Sequence, residues 1–123
     1  MAAKEKRVLI VDDAPFNRRF FKDIMKKSPF QVAGEAANGT DAVRMYIELQ
    51  PDLVLMDIMM PGQDGIEASK RIVSLDPNAR IIMCSTVSQE SKIIEALQAG
   101  ALDFIIKPII PAKLLEAMQK VCQ

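Results

Sequence analysis

The sequence predicts an α/β fold, a doubly wound five-stranded parallel sheet with five helices. Two observations support this prediction. Short runs of branched apolar residues alternate five times with longer segments whose apolar residues recur at helical spacing. Four of the short runs are continuously apolar, as expected for parallel strands that are buried on both faces. Because the chain has 123 residues, the length of one ordinary domain, we expect a single domain over residues 1–123.

The first strand is predicted at residues 8–11, and the first helix follows it. Proline is tolerated in the first turn of a helix, so this helix is expected to begin near Pro15. Pro29 ends it, because proline cannot continue a helix. Its predicted buried stripe consists of Phe16, Phe20, Phe21, Ile24 and Met25.

The second and third units follow the same plan. A weaker strand around residues 31–36 leads to Asn38, which is predicted to cap a helix that Pro51 ends. The third strand, at residues 53–56, precedes a loop at 61–65 and a helix that runs to about Leu75. The buried residues are expected to be Ala42, Val43, Tyr46 and Ile47 in the second helix, and Ile66, Ile72 and Val73 in the third.

The last two strands are predicted at residues 81–84 and 104–106. A helix at about 89–99 ends at Gly100, the residue type best suited to a left-handed cap, and a final helix covers about 111–121. Right-handed crossovers between five parallel strands favour the flavodoxin-like strand order 2-1-3-4-5. The expected buried residues are Ile93, Ile94 and Leu97 in the fourth helix, and Leu114, Leu115, Met118 and Val121 in the fifth.

Composition excludes several classes of function. Lys plus Arg and Asp plus Glu number 16 each, so the domain has no net field to hold a nucleic acid, and we expect no such partner. No segment has the roughly 20 apolar residues of a membrane helix, and residues 1–7 are polar, so we expect a cytoplasmic protein without a membrane partner. Cys84 and Cys122 lack metal-ligand spacing and are predicted to be reduced thiols. There is no histidine to serve as a general base.

Polar residues stand where the predicted strands end. Asp12 and Asp13 follow the first strand, Asp57 the third, Ser85 and Thr86 the fourth, and Lys107 the fifth. The carboxyl ends of parallel strands share one edge of a sheet, and side chains just beyond them converge on one crevice. The sequence therefore predicts three carboxylates, a hydroxyl and an ammonium group in one place.

Each of these residues also has an ordinary structural explanation. Asp13 is a suitable cap for the first helix, Thr86 and Gln89 match a capping box, Asp57 fits an ordinary loop, and Lys107 fits a solvated surface charge. Together, however, these explanations leave the carboxylates crowded. Two carboxylates about 4 Å apart repel by roughly 4 kcal/mol at an effective dielectric constant of about 20.

A divalent cation relieves this repulsion, and oxygen ligands of this kind select Mg²⁺. Because the chain lacks histidine, the natural nucleophile is a carboxylate, which accepts a phosphoryl group as an acyl phosphate. Such a transfer requires positioning and charge neutralisation, which a metal ion and a lysine supply. The hydroxyl of Ser85 is placed to bind a phosphoryl oxygen.

The ordered set of motifs resembles a response-regulator receiver domain of the CheY type. The motifs are Asp12-Asp13, Asp57 with Met60-Pro61 and Gly65, Ser85, and Lys107-Pro108. The resemblance implies that Asp57 is the phosphoacceptor, that Asp13 binds Mg²⁺ directly and Asp12 directly or through water, and that the backbone carbonyl of Met59 is the third protein ligand. It also implies Ser85 as the switching hydroxyl, Lys107 as the phosphate counterion and Phe104 as an aromatic rotor. It permits a cis Lys107–Pro108 bond.

The sequence departs from the usual receiver pattern at two places, and the second affects the expected rate of dephosphorylation. Thr86 stands where such receivers usually carry alanine or glycine beside the switching hydroxyl. Met59 and Val87, two residues after Asp57 and Ser85, are apolar, whereas polar side chains there help to align an attacking water. We therefore expect slow self-dephosphorylation.

The resemblance implies a signalling switch of a two-component system rather than an enzyme with external substrates. A histidine kinase would phosphorylate Asp57 and change the affinity of the surface built from the fourth helix, fifth strand and fifth helix. A stand-alone chemotaxis regulator that acts on the flagellar motor switch is the favoured function.

The alternatives are a receiver excised from a longer transcriptional or enzymatic regulator, a pseudo-receiver that works without phosphorylation, a flavin-binding module and a Mg²⁺-dependent aspartyl phosphatase. The last places a second acid where this chain has Met59, and a flavin module needs a phosphate cradle where this chain has two acids.

Overall fold

A computed structural model describes residues 6–60, 62, 64–86 and 90–123. Five parallel strands form one sheet in the order β2-β1-β3-β4-β5, which confirms the predicted fold and topology. The strands are β1 Lys6–Val11, β2 Phe30–Ala36, β3 Leu53–Met56, β4 Ile81–Ser85 and β5 Asp103–Ile106. The helices are α1 Pro15–Lys26, α2 Gly39–Leu49, α3 Gly65–Leu75, α4 Glu90–Gln98 and α5 Pro111–Val121.

The sheet separates two apolar layers. Val8 and Ile10 of β1 pack with residues of α1 and α5, whereas Leu9 and Val11 pack with residues of α2, α3 and α4. Successive side chains of a strand point to opposite faces, so one continuous apolar run supplies both layers. This arrangement leaves the two edges formed by the strand ends as the places for polar side chains.

Two predicted helix ends are confirmed. The Asn38 side chain accepts a hydrogen bond from the amide of Asp41 at 2.8 Å and caps α2. Gly100 follows α4 with a φ of 111°, and the amides of Gly100 and Ala101 donate to the carbonyls of Leu97 and Ala96, each at 3.1 Å. This is the hydrogen-bond pattern of a Schellman motif, which needs a left-handed residue at the glycine position.

Five of the predicted core residues are wrong, because they lie on the surface. Phe16 in the first turn of α1 is 81% exposed and Ile47 of α2 is 56% exposed. In α4 the buried residue is Ala96, which belongs to the core layer of Leu9 and Val11, and Ile94 and Leu97 are each 46% exposed. The predicted core residues that lie at the surface are Phe16, Phe20, Ile47, Ile94 and Leu97.

Some expectations lie outside the described residues. They are those for Pro61 and Gln63 in the loop after β3, and for Val87 and Gln89 before α4, including the capping box. Among the described residues, both cysteines are free thiols and no helix is long and apolar enough to cross a membrane.

Candidate metal centre

Sheet pairing continues past the strand ends and holds the candidate site residues in place. The amide of Asp12 donates to the carbonyl of Ala36 at 3.1 Å, and the amide of Asp57 donates to the carbonyl of Val11 at 2.9 Å. On the other side, the amide of Lys107 donates to the carbonyl of Ser85 at 2.9 Å. Because these bonds extend the ladder by one step, the side chains start from a rigid backbone.

The three predicted carboxylates come together. One oxygen from each of Asp12, Asp13 and Asp57 lies within 4.8 Å of the other two. Asp12 is fully buried and Asp57 is 6% exposed, whereas Asp13 lies at the surface. The donor set is purely oxygen and doubly or triply negative, which fits a hard divalent cation such as Mg²⁺. The interpretation of Asp57 as an ordinary loop acid is therefore wrong.

Asp12 has several fixed partners. Its Oδ2 accepts a hydrogen bond from Lys107 Nζ at 2.7 Å, and its Oδ1 accepts from the amide of Ala14 at 2.9 Å and from Asn17 Nδ2 at 3.3 Å. The N-cap of α1 is Ala14, which forms no side-chain cap, so the alternative that Asp13 caps this helix is wrong. It is Asp12 that satisfies the free amide.

Lys107 is the positive charge of the cluster. Its side chain is only 14% exposed, and its Nζ lies 2.7 Å from Asp12 Oδ2 and 3.8 Å from Asp57 Oδ1. It is therefore not the solvated surface charge of the alternative explanation. The Lys107–Pro108 peptide bond is cis, as the resemblance permitted.

Asp57 has an altered acidity in this environment. Burial raises the pKa of Asp57 to about 6, and the neighbouring charges of Asp12 and Asp13 act in the same direction. The Lys107 ammonium and a hydrogen bond from the Met59 backbone lower the pKa, but they only partly offset the loss of solvation. At neutral pH Asp57 is a buried carboxylate that is more basic than usual.

The remaining predicted residues lie on β4, on β5 and in the segment after Asp57. Ser85 is fully buried at the end of β4, and Thr86 beyond it is exposed. Phe104 of β5 is partly buried and packs against the core layer that contains Met83. Met59 is exposed in the loop after Asp57.

Gly65 allows the loop after β3 to fold back against the strand end. Its amide donates to the carbonyl of Ile58 at 2.9 Å. A Cβ at this position would overlap the backbone carbonyl oxygen of Asp57. Glycine is therefore required by the close approach of two backbones rather than by an unusual φ.

Three residues that the sequence pattern did not indicate support Asp12 and Asp13, which are called the acidic pair below. Asn17 donates to Asp12 Oδ1, Arg18 donates to the backbone carbonyl of Asp12, and Glu35 pairs with Arg18. Asn17 and Arg18 lie on α1 and Glu35 lies within β2, so none of them directly follows a strand and the strand-end pattern gave no signal for them.

The comparisons with known proteins agree with this geometry. The profile of the response regulator receiver domain matches residues 8–119, and the chain belongs to this family of two-component signalling proteins. It is 56% identical over 116 residues to the chemotaxis protein CheY of Thermotoga maritima, an alignment that covers 94% of this chain and 97% of the relative. It is 55% identical over 114 residues to CheY of Bacillus subtilis, covering 93% and 95% of the two chains.

Solved structures show the same fold. The response regulator domain of Thermotoga maritima CheB matches with a TM-score of 0.91 and 42% identity, covering 97% of each chain. A CheX–CheY–BeF₃–Mg²⁺ complex from Borrelia burgdorferi matches with a TM-score of 0.91 and 37% identity, covering 94% of this chain and 88% of that one. The chain is thus a phosphorylation-dependent response regulator of the chemotaxis type.

Proposed function

We propose that Asp57 is the residue that accepts the phosphoryl group, and that a histidine kinase is the donor. The observation that carries this proposal is the position of Asp57 between two further carboxylates and the Lys107 ammonium, at the carboxyl edge of the sheet. In the transfer, an oxygen of Asp57 bonds to phosphorus while the bond from phosphorus to the donor nitrogen breaks. A carboxylate with a pKa near 6 is ionised at neutral pH and is a better nucleophile than an ordinary aspartate.

The residues of the acidic cluster fit Mg²⁺. Asp13, Asp57 and the backbone carbonyl of Met59 are the proposed direct ligands, and Asp12 acts through water because both of its oxygens already accept hydrogen bonds. When bound, the ion supplies positive charge to the oxygens of the phosphoryl group. The Borrelia CheY complex contains Mg²⁺, which supports the same choice of metal here.

Lys107, Ser85 and Phe104 are proposed to convert the modification into a conformational change. The new phosphoryl dianion attracts the Lys107 ammonium, which lies 3.8 Å from Asp57 before modification. The Ser85 hydroxyl donates a hydrogen bond to a phosphoryl oxygen, and Phe104, which is partly buried, repacks inward. The result is a population shift between two arrangements of the same fold.

The surface formed by α4, β5 and α5 is the proposed output surface. It presents Ile94, Leu97, Ile106 and Ile110, which are about half exposed and apolar. Such a surface suits a protein target, and the similarity to chemotaxis proteins favours the flagellar motor switch. The chain is proposed to act in the cytoplasm as one receiver domain over residues 1–123. A receiver that belongs to a longer transcriptional or enzymatic regulator is the alternative.

The protein is proposed to promote its own phosphorylation but not to turn over external substrates. Met59 offers no acid two residues after Asp57, which a haloacid-dehalogenase-type phosphatase requires. Loss of the phosphoryl group is expected to be slow, because the side chains of Met59 and Val87 are apolar and cannot align an attacking water. A Met59→Asn, Val87→Glu double variant should therefore lose phosphate faster than the parent, and an unchanged rate would count against this reason.

The proposal is tested by incubating the chain with acetyl phosphate and measuring the intact mass. The parent should gain one phosphoryl group when Mg²⁺ is present and none when a chelator is present. Asp57→Asn should gain none under either condition, whereas Asp64→Asn, which changes the N-cap of α3, should label like the parent. Equal labelling of Asp57→Asn and the parent would refute the assignment.

A further inference from the structure

Arg18 of α1 braces the acidic pair without contacting any of the three carboxylates. Its Nη1 donates a 2.7 Å hydrogen bond to the backbone carbonyl of Asp12, and its Nε donates to Glu35 Oε1 at 3.2 Å. The side chain is only 19% exposed. A guanidinium group that donates in two directions from one rigid plane is suited to fixing two acceptors relative to each other.

The carbonyl that Arg18 contacts belongs to the peptide group between Asp12 and Asp13. The orientation of this peptide sets the direction in which the Asp13 side chain leaves the backbone. Asp13 is exposed, and its carboxylate makes no hydrogen bond or ion pair with the residues that the structure describes. The Asp13 carboxylate thus depends on its backbone for its position, whereas Asp12 is held by its own side-chain contacts.

Glu35 anchors the guanidinium group from behind. Its second oxygen, Oε2, pairs with Lys22 Nζ at 3.0 Å, so the carboxylate is shared between two cations on successive turns of α1. The pairing of β1 with β2 places Glu35 opposite Ile10, two residues before Asp12. Arg18 is therefore linked to β2 on one side and to the Asp12 peptide on the other.

We infer that Arg18 is a positioning residue for the metal site: it holds the Asp12–Asp13 peptide so that the Asp13 carboxylate faces the cation. This inference rests on the proposed function, because it requires a divalent cation beside Asp13. Lysine is a poor replacement, since one ammonium on a flexible chain cannot fix both acceptors in the plane of a guanidinium group. Residues that orient a metal ligand in this way typically change metal affinity by roughly 10- to 100-fold when they are removed.

The test measures Mg²⁺ affinity by isothermal titration calorimetry for the parent, Arg18→Met, Arg18→Lys and Arg19→Met. Arg19 is the matched control, because it is the next residue of the same helix and is exposed. Arg18→Met should weaken binding by about tenfold, Arg18→Lys by an intermediate factor, and Arg19→Met by less than about twofold. At saturating Mg²⁺, the rate of labelling by acetyl phosphate should return close to that of the parent in Arg18→Met, because the carboxylates and Lys107 remain in place.

A purely structural role gives a different result. If Arg18→Met lowers the melting temperature but leaves Mg²⁺ affinity within twofold of the parent, the inference is overturned and the proposed function stands. If the parent itself binds no Mg²⁺, both fail together. Should Arg18→Met not fold, Glu35→Gln serves instead, since it leaves Arg18 in place and weakens its anchor, together with the pairing of Glu35 with Lys22. This variant should weaken Mg²⁺ binding by more than twofold and by less than the roughly tenfold expected when an orienting residue is removed, and an affinity within twofold of the parent would overturn the inference.

Discussion

The Lys107 ammonium lies 2.7 Å from Asp12 and 3.8 Å from Asp57, so it donates a hydrogen bond to Asp12 and makes only a longer ion pair with the proposed phosphoacceptor. This pairing leaves Asp57 less compensated than Asp12. Lys107 lowers the pKa of Asp57, but it only partly offsets burial, the main cause, which raises that pKa to about 6. A phosphoryl dianion on Asp57 would reverse the preference of the ammonium, which is why this residue is proposed to respond to the modification.

Removing the ammonium should destabilise the metal-free protein. Lys107→Met leaves two buried carboxylates and one exposed carboxylate without a cation, and breaking a buried ion pair typically costs about 3 kcal/mol or more. Urea unfolding in the presence of a chelator should therefore show a free energy of unfolding about 3 kcal/mol below that of the parent. The difference should shrink at saturating Mg²⁺. Lys113→Met, at an exposed site of α5, is the control and should change little; equal effects of the two substitutions would contradict the prediction.

Mg²⁺ affinity should depend on pH through Asp57. Because the pKa of Asp57 is raised to about 6, the carboxylate is protonated below that pH, and a proton then competes with the metal. Affinity should be nearly constant above pH 7 and should be about tenfold weaker at pH 5, where about one Asp57 in eleven is ionised. Calorimetric titrations at pH 5, 6, 7 and 8 measure this, and a flat profile would show that Asp57 is not a ligand.

Gly65→Ala should damage both the fold and the site. Its Cβ would overlap the carbonyl oxygen of Asp57, so the loop must move away from the end of β3. We expect a loss of about 3 kcal/mol in the free energy of unfolding and a weaker Mg²⁺ site. Gly62→Ala in the same loop is the comparison: no residue that the structure describes lies within 4 Å of a Cβ there, and its φ of 74° is unfavourable, at a cost of about 1 kcal/mol. Equal losses would mean that the close approach at Gly65 is not the cause.

Ser69 of α3 offers a chance to stabilise the protein without touching the site. Its hydroxyl is fully buried and has no hydrogen-bond partner among the described residues. Ser69→Ala removes an unsatisfied polar group and should raise the free energy of unfolding by about 1 kcal/mol, while labelling by acetyl phosphate stays unchanged. Ser74→Ala, at an exposed position of the same helix, should have a smaller effect. A loss of stability in Ser69→Ala would show that the hydroxyl has a partner in solution.

The parallel sheet and the acidic cluster were predictable from the sequence because both follow from one pattern. Continuous apolar runs indicate strands that are buried on both faces, and their carboxyl ends must share an edge. The residues directly after those runs, Asp12, Asp57 and Lys107, therefore had to meet. Physical chemistry alone led from there to a cation and to a carboxylate nucleophile.

The contacts of Arg18 with Glu35 and with the Asp12 carbonyl were not predictable, because they depend on the register of β1 and β2. Val8 pairs with Val32 but Leu9 pairs with Gly34, so β2 contains one extra residue at this point. Without this irregularity Glu35 would not stand opposite Ile10, and a shift of one residue also reverses the face on which a side chain lies. No local sequence pattern indicates such a shift in register.

The number of buried apolar residues in each helix was also not predictable from the sequence. Periodicity identified the inward side of each helix but not how many of its apolar residues are buried. In α4 the buried residue is Ala96, whereas Ile94 and Leu97 lie at the surface. Phe16 was misjudged because the first turn of α1 lies beside Lys107 and Pro108, at the edge of the sheet rather than over its face.

Locating the phosphorylated residue in the chain shows directly whether Asp57 is the phosphoacceptor. After phosphorylation in Mg²⁺, treatment with borohydride reduces an acyl phosphate on aspartate to homoserine, which tandem mass spectrometry locates in the chain. The account predicts homoserine at position 57 and unmodified aspartate at positions 12 and 13. Homoserine at either of those positions, or a phosphoryl group on Ser85 or Thr86 that resists reduction, would contradict it.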